Sequence, residues 1–184
     1  MPKIHLKSKE AAALWKHEIQ GQLSDGAWEN SKPRDHWHFW SKCEPVVDGK
    51  VGFSGGYPVR RNYDLSVLTK NEIVRDRMIA MINAVKNGKN PMLAEYLVND
   101  RWLELIKSRK DKYWADKGDA IIKEYGDDLD KARELVTGPY KLSDLKKFLA
   151  EIKEAMSTSL GVNESKNVKS FRQFLNESKS KNIK

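Results

Sequence analysis

After about residue 69, apolar residues recur at the three- and four-residue spacing of amphipathic helices that pack on a common core. The predicted helices cover about residues 69–87, 91–106, 112–125, 128–136, 143–156 and 168–175. Thr69 and Glu72 match a capping box at the start of the first helix, and Pro91 at the first helical position favours the start of the second. Polar and small residues from 157 to 167 predict a loop before the last helix.

The first 68 residues follow a different pattern, in which Gly, Pro, Asn and Asp interrupt any helical period. Residues 3–7 alternate between polar and apolar as in a short strand, and Ser8 is the predicted N-cap of a helix over Lys9–Ile19. The pair Asp48-Gly49 between β-branched residues predicts a two-residue hairpin turn. We therefore expect antiparallel strands in this part of the chain.

Together these patterns predict an α+β fold with a single domain over residues 1–184. A short N-terminal helix and a small antiparallel sheet, within about residues 1–68, are expected to pack on a bundle of about five to six helices over residues 69–180. Inside that domain we expect an aromatic and His-rich α/β region up to residue 68, a helical region over 69–156, and a linker with a basic C-terminal helix over 157–184.

Composition narrows the class of protein. With 39% hydrophobic and 33% charged residues over 184 positions, the chain has enough apolar area for a core and too much charge for a membrane-spanning segment. The single cysteine, Cys43, excludes an intrachain disulfide and a Cys-rich zinc site, and we interpret it as a small buried hydrophobic residue. No apolar stretch of signal-peptide length lies near the start, so we predict a cytoplasmic protein that does not engage a membrane.

The chain is basic, with 34 Lys and Arg against 26 Asp and Glu and a formal charge of +8. Such a balance attracts polyanions, so the expected partner is nucleic acid or an acidic, nucleic-acid-associated protein. Most basic residues have acidic neighbours in sequence, as on an ordinary solvated helix face. The run 107–112 and the C-terminal tail are less compensated, and the run supplies four candidate phosphate contacts: Lys107, Arg109, Lys110 and Lys112.

All four histidines and four of the six tryptophans lie within the first forty residues. On a strand, His36 and His38 share one face, at a spacing that suits transition-metal binding or acid–base catalysis. Asp25, Glu29, Asp35 and Glu44 are carboxylates that can complete a site of the kind nucleases use with Mg²⁺. A His-x-His pair without a third ligand of known position is common, so contact with a partner is the favoured interpretation of this pair.

Two turn-rich segments are candidate recognition elements. Trp28 and Arg34 are predicted binding residues because Trp and Arg dominate interface hot spots, although Asp25-Gly26 also fits a plain turn with Trp28 in the core. Ser54-Gly55-Gly56 is followed by Arg60-Arg61, which can bring amide and guanidinium groups to an anion. The segment lacks the Gly-Lys-Ser/Thr of a P-loop, so we interpret it as a hairpin loop, with anion contact at Arg60 and Arg61 as the alternative.

These observations favour a non-enzymatic basic protein, without a cofactor, that binds nucleic acid or a nucleic-acid-handling protein complex. An accessory protein of a phage or mobile element, or an inhibitor of a host defence system, fits the size and composition. The alternative hypothesis is a metal-dependent hydrolase, a nuclease, in which His36 and His38 act with the neighbouring carboxylates.

Overall fold

The computed structural model describes residues 3–21, 42–47 and 65–166, with the backbone alone at 67 and 157–166, and this part of the chain is mainly helical. The predicted dominance of helices with a small sheet is confirmed. The chain divides into two compact units, one formed by residues 1–65 and 150–184 and the other by residues 66–149. The single folding domain stays a prediction.

The sheet of the first unit has two strands, β1 (Lys3–Leu6) and β2 (Glu44–Val47), and they pair in parallel. Ile4 and Leu6 are fully buried, as the alternation along β1 predicts. The prediction of an antiparallel sheet is wrong for these strands. It depended on a local turn signal, which does not show that β2 pairs with β1, a strand much earlier in the sequence. Parallel strands need a crossover connection, and a helix follows β1. The turn predicted at Asp48-Gly49 lies outside the described residues.

Helix α1 (Lys9–Leu14) continues directly into a π-helical segment, Trp15–Ile19. The predicted N-cap is confirmed, since the Ser8 hydroxyl accepts a hydrogen bond from the Ala11 amide at 3.2 Å. Trp15 is fully buried, and its indole Nε1 donates to the Cys43 carbonyl at 2.8 Å. The indole thus satisfies its only donor within the core of this unit.

The Glu151 carboxylate belongs to the same unit and binds the start of α1. Its oxygens accept from the Lys7 amide at 3.1 Å, from the Ser8 amide at 3.3 Å and from the Ser8 hydroxyl at 3.0 Å. Ser8 therefore caps the helix with its oxygen while its hydroxyl proton points to a carboxylate, and a negative charge lies where the helix dipole favours it.

A 3₁₀ turn, Leu65–Lys70, whose residues from Ser66 onward belong to the second unit, leads into α2 (Glu72–Lys86). The capping box predicted at Thr69 and Glu72 is wrong, because the Thr69 hydroxyl donates to the Ser66 carbonyl within the 3₁₀ turn. Asn71 is the N-cap instead, and its Oδ1 accepts from the amides of Ile73 and Val74. Asn caps a helix at least as well as Thr, so two candidates two residues apart competed for the same role.

Each of the next helices starts at an Asn or Asp cap. They are α3 (Pro91–Val98), α4 (Asp100–Ser108), α5 (Lys112–Tyr125) and α6 (Leu129–Thr137). The single helix predicted over 91–106 is wrong, because Asn99 adopts an extended backbone and caps α4. The predicted ends at Asn87-Gly88 and Gly126 are confirmed, and both glycines have positive φ, which side chains disfavour.

The last described helix, α7, runs over Leu142–Lys166. The loop predicted from residue 157 is therefore wrong up to residue 166. Ser, Thr and Asn cost only a few tenths of a kcal/mol each in an established helix, so a polar stretch need not end one. No helix among the described residues combines the length and apolar character needed to cross a bilayer.

The core of the second unit consists of small and aliphatic side chains from α2 to α6, including Ala84, Leu97, Ile106, Ile121 and Val136. One polar side chain, Asn83 of α2, is fully buried beside them. It bonds the backbone at the end of α6 and in the turn between α6 and α7, which fixes both against α2.

Candidate binding surface

Four rings of the second unit form a cluster that we call the aromatic patch: Tyr96, Trp102, Tyr113 and Trp114. The ring centroids of Tyr96 and Trp102 are 5.0 Å apart, and that of Trp114 lies 6.3 Å from both. Tyr113 stands edge-on to Trp114 at 5.0 Å. These are separations at which aromatic pairs attract. Tyr96 and Trp114 pack against the core, whereas 55% of Tyr113 is exposed, so the patch is anchored on one side and open on the other.

Two polar caps set the positions of the two tryptophans. Asn99 separates α3 from α4, and its Oδ1 accepts from the Trp102 amide at 3.0 Å. Asp111 caps α5 in the same way, accepting from the Trp114 amide at 3.1 Å. Because each tryptophan lies in the first turn of its helix, the breaks in the chain bring both rings to Tyr96 of α3.

A lysine lies over two of the rings. The Lys117 Nζ is 4.9 Å from the Tyr96 ring centroid and 5.6 Å from that of Tyr113, within the range of cation–π attraction. The two tyrosine hydroxyls are 3.3 Å apart. Burial raises the pKa of Tyr96, and the hydrogen bond with Tyr113 raises it further, so the phenol stays neutral near pH 7. The patch therefore offers uncharged ring faces that attract cations.

A groove of about 490 Å³ opens beside the aromatic patch and shares Trp102 with it. The start of α2, the end of α3 and the start of α4 form its walls, and Ile73, Val98 and Trp102 are its apolar side chains. Ile73 lies at an apolar position of the helical pattern of α2 but is 68% exposed, because it lies in the first turn of that helix. Helical periodicity gives the face of a residue but not where along the helix the core ends.

The carboxylates around this groove pair with guanidinium groups. The carboxylates belong to Glu72, Asp76, Glu95 and Asp100, and the guanidinium groups to Arg77 and Arg101. Each of the four carboxylates has an arginine partner: Arg75 Nη2 lies 3.7 Å from Glu72 Oε1, Arg75 Nε lies 3.2 Å from Asp76 Oδ1, Arg77 Nη1 lies 4.0 Å from Glu95 Oε2, and Arg133 bonds Asp100. Glu72 and Asp100 are nevertheless 79% and 84% exposed. Such exposed pairs contribute about 0–1 kcal/mol each.

The basic run 107–112 has fewer acidic neighbours in sequence than the other basic residues, but three of its side chains form ion pairs in the fold. Lys107 Nζ lies 2.7 Å from Asp130 Oδ1, Arg109 Nη2 lies 3.0 Å from Asp119 Oδ1, and Lys112 Nζ lies 2.7 Å from Asp116 Oδ2. The hydrogen bond from Lys107 lowers the pKa of Asp130, and the hydrogen bond to Asp116 raises the pKa of Lys112. The expected lack of compensation is thus corrected, while phosphate contact by Lys107, Arg109, Lys110 and Lys112 stays a prediction.

Except for Glu44 of β2, the other predicted site residues lie outside the described residues, and all these roles stay predictions. Those outside are Asp25, Trp28, Glu29, Arg34, Asp35, His36, His38, Arg60 and Arg61. Within residues 3–21, 42–47 and 65–166, no three His, Cys, Asp or Glu side chains come together as a metal site requires.

Two other titratable groups belong to the first unit. Cys43 is fully buried, as predicted, and burial raises the pKa of its thiol to about 12, so it is protonated and inert near neutrality. His17 lies in the π-helical segment, where partial burial lowers its pKa and the neighbouring Lys16 lowers it further. Both effects favour the neutral form of the imidazole.

Sequence reasoning missed the aromatic patch, although one signal for it exists. Tyr113 and Trp114 are consecutive in a helix, and consecutive helical side chains point about 100° apart. One ring of such a pair faces the core while its neighbour faces solvent, which marks a helix with an aromatic surface.

Comparison with protein-family models, with curated proteins and with solved structures finds no match to this chain.

Proposed function

We propose that this protein is a non-enzymatic binding protein that works within a nucleic-acid-handling assembly, where its helical unit contacts a protein partner. The observation that carries the proposal is the aromatic patch with its adjoining groove. Solvent-exposed aromatic and aliphatic side chains with a charged rim are typical of interaction sites on helical proteins. Tyr and Trp are also the residues that contribute most to protein interfaces.

Charge supports a nucleic-acid context through other parts of the chain. Between residues 166 and 184 the sequence holds six Lys and Arg against one Glu, which accounts for much of the +8 total. Such a segment attracts polyanions in a salt-dependent way. The aromatic patch and the basic segment therefore suit different ligands, a protein and a nucleic acid, within one assembly.

Affinity capture tests this proposal. Tagged full-length protein is used to pull down partners from a cell lysate, with and without nuclease treatment, beside a variant in which Tyr113→Ser removes the exposed ring of the patch. We expect a discrete protein partner that survives nuclease treatment and is depleted by Tyr113→Ser. Capture that disappears entirely on nuclease treatment would contradict a protein contact and favour direct binding to nucleic acid.

A gel-shift series with DNA and RNA in increasing salt tests the nucleic-acid context. Truncation after residue 165, which removes the basic segment, is expected to weaken any shift and flatten its salt dependence. A shift of equal strength from the truncated protein would show that the basic segment is not responsible.

A further inference from the structure

We infer that Asn87 is a modification site, at which the side chain loses its amide by reaction with the main chain of Gly88, and that the last turn of α2 controls the rate. The chain contains one Asn-Gly pair, Asn87-Gly88. In such a pair the main-chain nitrogen can attack the side-chain carbon of Asn, since Gly has no Cβ to obstruct the approach. The inference goes beyond the proposed function and does not depend on it.

The reaction needs only water as a co-reactant. The Gly88 amide loses its proton to solvent, and its nitrogen forms a bond to Asn87 Cγ. The bond from Cγ to Nδ2 breaks, and Nδ2 takes up a proton from solvent and leaves as ammonia, so that a succinimide ring remains. Water then opens the ring at either carbonyl and leaves aspartate or isoaspartate. Either product adds one negative charge, which lowers the formal charge of the chain from +8 to +7.

Both residues of the pair lie at the solvent-accessible end of α2. Asn87 is the C-cap of the helix, Gly88 has a φ of 71°, and both are exposed, so water reaches the reacting amide. Between residues 65 and 156, every other asparagine precedes a residue whose side chain obstructs the same attack. These asparagines are Asn71, Asn83, Asn90 and Asn99.

Two hydrogen bonds restrain the reacting atoms while the last turn of α2 is closed. The Gly88 amide, which is the nucleophile, donates to the Val85 carbonyl at 3.0 Å. Asn87 Nδ2, which is the leaving group, donates to the Asn83 carbonyl at 2.8 Å. Attack requires removal of the Gly88 proton and rotation of the Asn87 side chain, and these changes break both bonds. The reaction therefore proceeds from molecules in which this turn has opened.

Opening of this turn does not require unfolding of the whole helical unit. The turn is closed by the two bonds above and by a third, from the Lys89 amide to the Ala84 carbonyl at 2.8 Å. Helix ends open at a lower free energy than the core does. Three bonds of ordinary strength nevertheless keep the open population small, so we expect the reaction to be at least about tenfold slower in the folded protein than in the unfolded chain.

The product does not restore the closed turn. In aspartate an oxygen takes the place of Nδ2, and it faces the Asn83 carbonyl, so that two acceptors meet and no donor lies between them. The new negative charge also lies at the C-terminal end of a helix, where the helix dipole disfavours it. Isoaspartate adds a methylene to the main chain and shifts the Gly88 amide away from Val85. The modification therefore leaves the end of α2 open.

The test is a time course of full-length protein at neutral pH, with a parallel sample unfolded in urea. Proteolytic digestion and mass spectrometry measure the fraction of Asn87 converted to aspartate and isoaspartate. We expect conversion at Asn87 in both samples, at least about tenfold slower in the folded one. Ion-exchange chromatography should show the loss of one positive unit of charge at the same rate.

Helix variants locate the opening that controls the rate, and each rate is divided by the rate of that variant in urea. Lys86→Gly weakens the last turn of α2 and should accelerate the reaction about threefold to fivefold. Lys86→Ala loses the same contact of Lys86 Nζ with the Tyr140 ring but favours the helix, so it should react like the original protein. Lys123→Gly is the matched control in the last turn of α5, and it should also leave the rate unchanged.

Three outcomes overturn the inference: no conversion of Asn87 in urea, equal rates in folded and unfolded protein, or equal acceleration by Lys86→Gly and Lys123→Gly. The last would show that unfolding of the whole unit, and not of the last turn of α2, controls the reaction. Asn87→Asp reproduces one product and should unfold at a lower urea concentration than Asn87→Ala, which loses the same bond without adding a charge. An equal or higher midpoint for Asn87→Asp would contradict the effect inferred for the product.

Discussion

Replacing Asn83 by Ala should destabilise the helical unit more than a typical single substitution. The side chain is fully buried, and its Nδ2 donates to the carbonyls of Val136 at 3.0 Å and Tyr140 at 3.1 Å. Its Oδ1 accepts from the Tyr140 amide at 2.8 Å. These three bonds hold the end of α6 and the turn that follows it to the last turn of α2.

The magnitude follows from the number of groups left without a partner. Each hydrogen bond contributes about 1 kcal/mol net, and a buried donor or acceptor deprived of its partner costs about 1–3 kcal/mol. We therefore expect Asn83→Ala to lower the free energy of unfolding by about 3–4 kcal/mol. The matched control is Asn87→Ala, at the C-cap of α2 and four residues after Asn83. Its exposed side chain makes a single bond to the Asn83 carbonyl at 2.8 Å, so we expect a loss below about 1 kcal/mol.

Urea unfolding followed by far-UV circular dichroism measures the difference. With a slope of about 2 kcal/mol/M, the Asn83→Ala midpoint should fall by about 1.5–2 M relative to the original protein. Hydrogen exchange of amides near Tyr140 gives an independent local reading, and it should accelerate in Asn83→Ala alone. Equal midpoints for the two variants, or unchanged exchange near Tyr140, would refute the reasoning.

Four further predictions concern single groups in the fold. Glu151→Ala should destabilise the start of α1 by about 1–2 kcal/mol, which hydrogen exchange of that helix measures against the rest of the first unit. Arg109 has a φ of 49°, a left-handed conformation that only Gly adopts without strain. Arg109→Gly and Arg109→Ala both lose the ion pair with Asp119, but only Gly relieves the backbone strain. In thermal unfolding, Arg109→Gly should therefore be about 1 kcal/mol more stable than Arg109→Ala. Cys43 should resist a thiol reagent at pH 8 until the protein is unfolded, and labelling as fast as that of a free thiol would contradict its burial. The pKa of His17 is lower in the folded protein than in the unfolded chain, so the unfolded state binds a proton more readily. The contribution of His17 to the free energy of unfolding should therefore be complete above about pH 6.5 and be lost as the pH falls. The variant His17→Gln should remove this pH dependence.

Local signals were sufficient for most helix boundaries. The cap at Ser8, the stop at Asn87-Gly88 and the helix over 112–125 each depend on residues within one turn of the boundary, and each is confirmed. The wrong start at Thr69 has the same origin, since Asn71 is an equally good cap and the sequence does not say which one the preceding turn uses.

Long-range pairing could not be predicted from local pattern. The parallel pairing of β1 with β2 and the bond of Glu151 to Ser8 join residues far apart in sequence. The pairing of Arg109 with Asp119 and of Lys107 with Asp130 likewise spans from one helix to another. The acidic neighbours of the basic run in sequence therefore do not show how many of its charges are paired in the fold.

The candidate surface was hidden for a related reason. Trp102 fits the apolar face of a helix predicted over 91–106, and only the break at Asn99 turns it toward Tyr96 and the groove. An apolar pattern identifies the helix face that avoids water. It does not show where the ends of three helices meet, and the partly exposed cluster forms at that point.

Site-specific photo-crosslinking tests the central claim, contact with a protein partner through the aromatic patch, most directly. Full-length protein carrying p-benzoylphenylalanine at position 113 is irradiated in lysate, beside the same protein carrying it at position 122, where the side chain is 36% exposed outside the groove. We predict a discrete protein adduct from position 113 that resists nuclease treatment, and none from position 122. The same adducts from both positions, or an adduct from position 113 that disappears with nuclease, would contradict the account.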